Sequence, residues 1–304
     1  MTRVLILGAA GMFGHQAFET FSERFETTGT IRRLDPAIAE RGFRDPERLL
    51  TGVEAERPET VARAIAATEP DWVLNCIGIV KQRDDAKREI PSIEVNALFP
   101  HLLADLCESR QARLIHLSTD CVFAGDRGHY SENDTPDATD LYGKTKALGE
   151  VTREGALTIR TSMIGRELVG RASLVEWFLA QGNGPVRGFV NAFFSGLTTL
   201  ALARAIADVI AEDRGLSGVY HVAGDRISKH DLLVLLRSAY DRDCEIVPDE
   251  SFHCDRSLDD SRYRSATGFS PESWPAMVAE MADRDRQMIS ISGIGKMSRP
   301  PLAR

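Results

Sequence analysis

The sequence has no arrangement of cysteine or histidine that predicts a disulfide framework or a metal site. Its five cysteines are odd in number, widely scattered and never spaced as CxxC, so we expect reduced thiols in a cytosolic protein. The seven histidines show neither HxxxH nor HExxH spacing, which disfavours a metal centre. Any catalysis is therefore expected from other residue types.

Long hydrophobic runs and a surplus of basic residues are also missing. No apolar run approaches the ~20 residues of a membrane helix, and residues 4–7 are too short for the core of a secretory signal. The formal net charge of -8 disfavours nucleic acid or an anionic membrane as the main partner. The 304 residues, 43% hydrophobic and 27% charged, predict a soluble cytoplasmic protein with one large domain or two unequal lobes.

Strand and helix signals alternate along the first half of the chain. The predicted buried strands cover residues 4–7, 28–31, 72–74, 114–117 and 157–159. Helical periodicity lies between them, which predicts right-handed βαβ units and a doubly wound parallel Rossmann sheet of the α/β class. After Arg160 the pattern loosens into helices and one clear strand, near residues 218–222.

This change in pattern predicts the domain organisation. Residues 1–165 are expected to form the Rossmann domain, with residues 190–224 returning to it. Residues 166–189 and 225–290 are expected to form a smaller, mainly helical substrate-binding lobe. Residues 291–304 are basic and lack periodicity, so we expect a flexible tail or an arm that orders on a partner.

A glycine-rich turn follows the first strand and opens a helix. Its glycines have GxxGxxG spacing. In this context glycines allow a tight turn, close approach of backbone to a pyrophosphate and close packing of helix on sheet. The helix N-terminus adds free N–H groups for the phosphates. We expect a dinucleotide to bind at Gly8, Gly11, Met12, Phe13 and Gly14, although such a triplet alone also fits a purely structural turn.

The end of the second strand predicts which dinucleotide binds. An Asp or Glu there would bind the adenosine 2′-hydroxyl of NAD, but this sequence has Arg32 and Arg33. Arginine prefers a 2′-phosphate, because its paired donors fit phosphate oxygens. NADP(H) is therefore preferred and NAD(H) stays open; the alternative is that both arginines are solvated. Asn75, at another strand end, is interpreted either as a cofactor contact or as a turn residue.

Tyr142 and Lys146 lie four residues apart on a predicted helix, so their side chains share one face. A phenol beside an ammonium is a stronger acid than free tyrosine, whose pKa is about 10. Thr119 lies just past the carboxyl end of a strand, where open α/β sheets bind ligands. We expect Thr119 to hydrogen-bond a substrate carbonyl, Tyr142 to protonate the alkoxide, and Lys146 to lower the pKa of Tyr142 and hold the nicotinamide ribose.

Several segments together carry a family resemblance. They are Gly8–Gly14, Asn75, residues 117–123, 130–132, 142–146, 149–150 and 160–162. As a set they resemble the extended short-chain dehydrogenase/reductase family, and within it the dTDP-4-dehydrorhamnose reductases and related sugar-nucleotide reductases. The resemblance implies a Rossmann lobe with a small substrate lobe, a Thr119–Tyr142–Lys146 catalytic group, and reduction of the 4-keto group of a nucleotide-linked deoxysugar. A homodimer stays open as an oligomeric state.

Three positions depart from the pattern of the resembling reductases. Cys121 stands where they usually have tyrosine, Met163 where they have tryptophan, and Leu197 where they have proline. The resemblance implies that Cys121 and Met163 line the sugar, and Asp120 either orients the sugar or caps its loop. The identity of the sugar therefore does not follow from the resemblance.

Cations outside the catalytic group are candidates for binding the diphosphate of the substrate, which requires clustered positive charge. The candidates are Lys81, Arg166, Arg187 and Arg256. Each is alternatively a solvated surface charge. Arg256 is favoured, because a basic residue in the C-terminal lobe often has this role in the resembling family.

Two other functions stay open. One is an NAD-dependent sugar-nucleotide epimerase; a dehydratase is disfavoured, because Asp120 is followed by Cys121 and not by Glu. The other is a non-catalytic regulatory subunit that binds NADP(H). The intact Thr119–Tyr142–Lys146 set argues against it, since a regulator has no need of an acidic tyrosine.

Overall fold

The computed structural model describes residues 1–34, 38, 46–80, 87–168, 170 and 173–291, with side chains described through residue 287. The strands of the first half are β1 (Arg3–Leu7), β2 (Glu26–Ile31), β3 (Leu49–Thr51), β4 (Trp72–Asn75), β5 (Arg113–Leu117), β6 (Ala156–Arg160) and β7 (Met163–Ile164). The helices are α1 (Met12–Ser22), α2 (Pro58–Thr68), α3 (Glu89–Ser92), a π-helical turn (Ile93–Leu98), α4 (Phe99–Ser109) and α5 (Leu141–Leu148).

The second half mixes helices with short strands. The strands are β8 (Val186–Phe189), β9 (Ala192–Phe194), β10 (Leu197–Thr198), β11 (Gly218–His221), β12 (Ile227–Ser228), β13 (Ile246–Asp249) and β14 (Cys254–Asp255). The helices are α6 (Leu174–Leu179), α7 (Thr199–Glu212), α8 (Lys229–Ala239), α9 (Ser261–Thr267) and α10 (Trp274–Ile291). None of the helices in the described part of the chain combines the length and apolarity needed to cross a membrane.

The central element is a seven-stranded sheet in the order β11-β6-β5-β4-β1-β2-β3. Every neighbouring pair is parallel, which confirms the predicted doubly wound Rossmann sheet. The central strands β4 and β6 are buried at every position, as parallel sheets covered on both faces require, whereas the edge strand β3 has no buried residue. The chain order reverses between β1 and β4, and ligands of such sheets bind outside the carboxyl ends of the strands at this point.

Three smaller sheets lie outside this one. Strand β9 pairs with both β12 and β14, β8 pairs with β13, and β7 pairs with β10. The smaller lobe therefore contains short strands beside its helices. Strand β11 adds to the edge of the main sheet beside β6, and α7 packs against α1, so both return to the Rossmann core.

The helical spacing of Leu98, Leu102, Leu103 and Leu106 predicts one helix over residues 92–109, and the structure shows that this helix contains a π-helical turn. The prediction placed Leu98 on the buried face, but Leu98 is 51% exposed while Leu103 is fully buried. A π turn inserts an extra residue and so rotates the buried face that follows. The turn carries Asn96 inward, where its side chain accepts from the Ile79 N–H at 2.9 Å and donates to the Ile79 carbonyl at 2.9 Å.

The loop over residues 125–140, which the composition identified, is anchored by Tyr130. Its hydroxyl oxygen lies 3.2 Å from the N–H of Gly125 and 3.1 Å from that of Asp126. The ring of Tyr130 stacks on Phe123, with 4.2 Å between ring centroids. These contacts hold the start of the loop beside the end of β5. The tail over residues 292–304 lies outside the described residues.

Candidate active site

The glycine turn joins β1 to α1 in the manner that a dinucleotide site requires. Gly8 has φ +82°, and a Cβ at Gly14 would lie 2.2 Å from the Gly8 carbonyl oxygen. Gly11 is the N-cap residue of α1 and supplies no side-chain cap, so the first N–H groups of the helix have no side-chain acceptor. These N–H groups form a cradle that fits a pyrophosphate.

The residues around this cradle have different access to it. Met12 is half-buried, whereas the Phe13 side chain is buried in the core. Phe13 can therefore serve a cofactor only through its backbone. Arg32 and Arg33 are exposed just after β2, and Arg32 Nη2 lies 3.3 Å from Glu56 Oε1. Their role toward a 2′-phosphate stays a prediction.

Thr119 and Tyr142 lie together beyond the carboxyl end of β5. The Thr119 hydroxyl accepts from the Cys121 N–H at 3.1 Å and donates to Asp120 at 3.1 Å, and it lies close enough to the Tyr142 hydroxyl to lower the pKa of that phenol. Helix α5 can approach this strand end because residue 143 is glycine: a Cβ there would lie 2.3 Å from the Cys121 carbonyl oxygen. The structure therefore brings together the two hydroxyl groups that the sequence selected.

Lys146 is buried on α5, one turn beyond Tyr142. Its Nζ donates to the Leu117 carbonyl oxygen at 2.6 Å. Burial lowers the pKa of Lys146 to about 8, opposed by the nearby Glu150 carboxylate. The ammonium is thus fixed against the end of β5, the strand that leads to Thr119.

The expected acidity of Tyr142 is not found. Burial, helped by the neighbouring Cys121 and Asp120, raises the pKa of Tyr142 above its ordinary value, against the lowering effect of the Thr119 hydrogen bond. Desolvation of the phenolate dominates this pKa, and the effect of Lys146 on the acidity of Tyr142 stays a prediction. The phenol keeps its proton at neutral pH, as a proton donor must.

Asn75 ends β4 between the glycine turn and β5. Its Nδ2 lies 3.1 Å from His116 Nδ1, and its Oδ1 accepts from the Ile77 N–H at 3.1 Å. The amide is therefore used within the protein, where it fixes the turn after β4, and a cofactor contact stays a prediction. Burial lowers the pKa of His116 well below its ordinary value, so this imidazole is neutral.

Asp120 and Cys121 follow Thr119 directly, and Arg256 lies near both of them. Asp120 is buried, and burial raises its pKa against the opposing charges of Lys229 and Arg256. Burial raises the pKa of the half-buried Cys121 thiol to about 12, so it is neutral. Arg256 donates to the Phe123 carbonyl at 2.8 Å and to the Ala124 carbonyl at 3.0 Å, which joins β14 to this loop.

Two of the remaining substrate-side candidates, Arg166 and Arg187, form ion pairs with other residues. Arg166 forms ion pairs with Glu176 at 2.5 Å and Asp285 at 2.6 Å, which link α6 to α10. The exposed Arg187 pairs with Asp249 at 2.8 Å. Met163 is half-buried on β7, and Lys81 lies outside the described residues. A substrate role for these four stays a prediction.

Sequence reasoning missed Lys229, the first residue of α8. Its Nζ lies 3.6 Å from the centroid of the Phe194 ring, and its nearest charged or ionisable neighbours are Asp120, Cys121, Cys254 and Arg256. The only local signal is Ser228, whose hydroxyl caps the helix at the Asp231 N–H. That signal predicts where a helix begins and does not place the next side chain near Asp120.

A buried polar network lies behind the site. Arg160 donates to both carboxylate oxygens of Glu150, at 2.8 and 2.7 Å, and Ser118 donates to Glu150 at 2.7 Å. Arg160 Nη1 also lies 3.3 Å from His221 Nε2. This network ties β5, α5, β6 and β11 together. Several residues of the resembling segments are therefore structural.

The fold and the Thr119–Tyr142–Lys146 group define an extended short-chain dehydrogenase/reductase, a class of NAD(P)-dependent oxidoreductases. Comparison with protein families is more specific. The chain belongs to the family described as the RmlD substrate binding domain, whose model matches residues 1–286. The resemblance noted in the sequence is thereby confirmed.

Individual proteins show the range of this likeness. Over 171 residues the chain is 32% identical to the probable dTDP-4,6-dihydroxy-2-methyloxan-3-one 4-ketoreductase of Streptomyces antibioticus; the match covers 56% of this chain, and the chain spans about half (52%) of that relative. It is 24% identical over 253 residues to the zebrafish (Danio rerio) methionine adenosyltransferase 2 subunit beta, covering 78% of this chain and 74% of that protein. The dTDP-4-dehydrorhamnose reductase of Bacillus anthracis, solved in complex with NADP, superposes with a TM-score of 0.77 at 20% identity, covering 93% and 99% of the two chains.

Proposed function

We propose that the protein is an NADPH-dependent reductase that acts on the 4-keto group of a nucleotide-linked deoxysugar. The observation that carries this proposal is the juxtaposition of the Thr119 and Tyr142 hydroxyls beyond the carboxyl end of β5, where the Lys146 ammonium is fixed 2.6 Å from the Leu117 carbonyl oxygen. Two strands away in the sheet, about 10 Å, lies the glycine turn after β1. Similarity to a 4-ketoreductase and to an NADP-bound reductase structure supports the same function.

The cofactor is expected to lie with its pyrophosphate on the N–H groups of Met12, Phe13 and Gly14. Arg32 and Arg33 are expected to meet the 2′-phosphate, which favours NADP(H) over NAD(H). The relatives support a nicotinamide cofactor in general, and one solved structure holds NADP. When bound, the nicotinamide supplies the hydride that reduces the sugar carbonyl.

The protein's own groups act on the oxygen of that carbonyl. Thr119 hydrogen-bonds the oxygen and orients it, and Tyr142 gives up its proton as negative charge develops there. The raised pKa of Tyr142 keeps the phenol protonated until this moment. Lys146, held by the Leu117 carbonyl, provides positive charge that favours the phenolate left behind.

A screen of nucleotide-linked 4-keto-hexoses with NADPH tests the proposal. Stoichiometric oxidation of NADPH with a reduced sugar as product is the expected result. An isomerised product without net oxidation would instead identify an epimerase. NADPH binding without turnover of any keto sugar would contradict the reductase.

A regulatory role is the second candidate, because the chain resembles a methionine adenosyltransferase subunit over most of its length. In that case the protein would bind NADP(H) tightly and associate with a catalytic partner. The Thr119, Tyr142 and Lys146 side chains weigh against this role, since a protein that catalyses no reaction has no need of such a set. Tight binding without turnover, combined with activation of a partner enzyme, would favour it.

A further inference from the structure

Lys229 has an ammonium group with no hydrogen bond or ion pair to the described residues. Its Nζ lies instead over the face of the Phe194 ring, 3.6 Å from the ring centroid. The side chain is half-buried and feels the charges of Asp120 and Arg256. A lysine in this position does not behave as a solvated surface charge.

The small sheet explains how Lys229 reaches this place. Strand β9 pairs with β12, which leads directly into Lys229, and with β14, which leads directly into Arg256. Arg256 then binds the Phe123 and Ala124 carbonyls. The three-stranded sheet is thereby attached to the loop that follows Thr119, and Lys229 comes to lie beside Asp120 and Cys121.

The charges near Lys229 do not balance. Burial raises the pKa of the Cys121 thiol to about 12 and raises that of Cys254, so both thiols are neutral. The carboxylate that opposes Lys229 is the buried Asp120, which itself resists ionisation and also faces Arg256, whereas Arg256 has Asp140 as a second acidic neighbour. A desolvated charge without a partner is costly, and an anionic oxygen on a ligand would compensate it.

We propose that Lys229 binds an anionic oxygen of the substrate, either a phosphate attached to the sugar or a carboxylate on its ring. The inference rests on the proposed function, because it places the sugar against Thr119 and Asp120. Lys229 would then be a specificity-determining residue, since it lies on the substrate side and its ammonium complements charge on that ligand.

Calorimetric binding of unreactive probes tests the inference without turnover. The probes are dTDP, dTDP-glucose and UDP-glucuronate, measured with NADPH present. Lys229→Met is expected to raise the Kd of at least one probe by roughly tenfold or more, as loss of a charged hydrogen bond does. The Kd of NADPH should not change. Lys229→Arg should restore most of the affinity. Lys144→Met, on the exposed side of α5, is the control.

The probes separate the two sources of the anion. Weaker binding of dTDP by the Met variant would assign the phosphate, and weaker binding of UDP-glucuronate alone would assign the carboxylate. Equal Kd values for wild type and both variants would overturn the inference, as would wild-type protein that binds none of the probes. A protein that binds them through Lys229 but never oxidises NADPH would refute the reductase proposal instead.

Discussion

The Nζ of Lys146 lies 2.6 Å from the carbonyl oxygen of Leu117, at the point where β5 ends. The ammonium is thus fixed by the backbone that positions Thr119, two residues further along. Tyr142, one turn earlier on the same helix, places its hydroxyl near that of Thr119. The end of a single strand therefore positions all three candidate catalytic groups.

Replacement of the phenol tests the proton donor. Tyr142→Phe should reduce kcat by about 10²- to 10⁴-fold, the usual contribution of a general acid, while NADPH still binds with unchanged affinity. Steady-state kinetics and fluorescence titration of NADPH measure the two effects. Tyr220→Phe, at a buried tyrosine on β11, is the matched control and should leave kcat unchanged. Normal turnover by the Tyr142 variant would remove the assignment.

The depressed pKa of Lys146 predicts opposite effects of pH on activity and stability. Its native pKa of about 8 lies below its ordinary 10.5, so the folded protein loses this proton first. Activity should therefore fall as pH rises through about 8. Because of this group, the free energy of unfolding should rise as pH increases from about 8 to 10.5. Over that range the unfolded chain still binds the proton that the folded protein has lost.

Kinetics and chemical denaturation across this pH window check both signs. Lys146→Met has no ammonium to lose. It should have low activity throughout and should lack the gain in stability that the wild type shows. If activity and stability changed with pH in the same way in the wild type and in Lys146→Met, a group other than Lys146 would cause the pH dependence.

The ion pair of Arg160 with Glu150 is expected to matter for stability. Their side chains are 4% and 7% exposed, so Arg160→Met would leave a carboxylate buried without its partner. The expected loss is about 3–5 kcal/mol of unfolding free energy, measured by urea denaturation. Arg3→Met breaks an exposed pair with Glu69 and should cost less than about 1 kcal/mol. Similar losses in both variants would contradict the role of burial.

How much of this site the sequence predicts depends on whether each feature is set by neighbouring residues or by residues distant in the sequence. Strand runs, the glycine turn and the Tyr142–Lys146 spacing are local patterns, and local patterns survive folding. The raised pKa of Tyr142 and the position of Lys229 were not predictable, because both depend on neighbours distant in the sequence. The exposure of Leu98 was missed for a different reason: a π turn leaves the composition of a helix unchanged but shifts its face.

The close approach of Gly14 to Gly8 predicts that the glycine turn tolerates no side chain at residue 14. A Cβ at Gly14 would lie 2.2 Å from the Gly8 carbonyl oxygen, whereas one at the exposed Gly182 would meet nothing within 4 Å. Gly14→Ala should lower the unfolding free energy by about 1–3 kcal/mol and abolish NADPH binding. Gly182→Ala should do neither. Thermal unfolding and NADPH titration of both variants test this, and wild-type affinity in Gly14→Ala would refute the dinucleotide cradle.

The choice between NADPH and NADH is expected to depend on Arg32 and Arg33. Arg32→Asp combined with Arg33→Asp should lower the ratio of kcat/KM for NADPH to that for NADH by roughly 10- to 100-fold. Both cofactors are measured with one keto-sugar substrate. Arg57→Asp, at an exposed arginine that pairs with Glu54, is the control. An unchanged ratio in the double variant would end the 2′-phosphate hypothesis.

The contact between Arg32 and Glu56 allows a test of opposite sign. Glu56 Oε1 lies 3.3 Å from Arg32 Nη2 and so competes with a 2′-phosphate for the same donors. Glu56→Gln removes this competition, because a neutral amide attracts the guanidinium less than a carboxylate does. We therefore expect a lower Kd for NADPH and no change for NADH, both measured by fluorescence titration. Equal tightening for both cofactors would show that Glu56 affects the whole cradle and not the 2′-phosphate position.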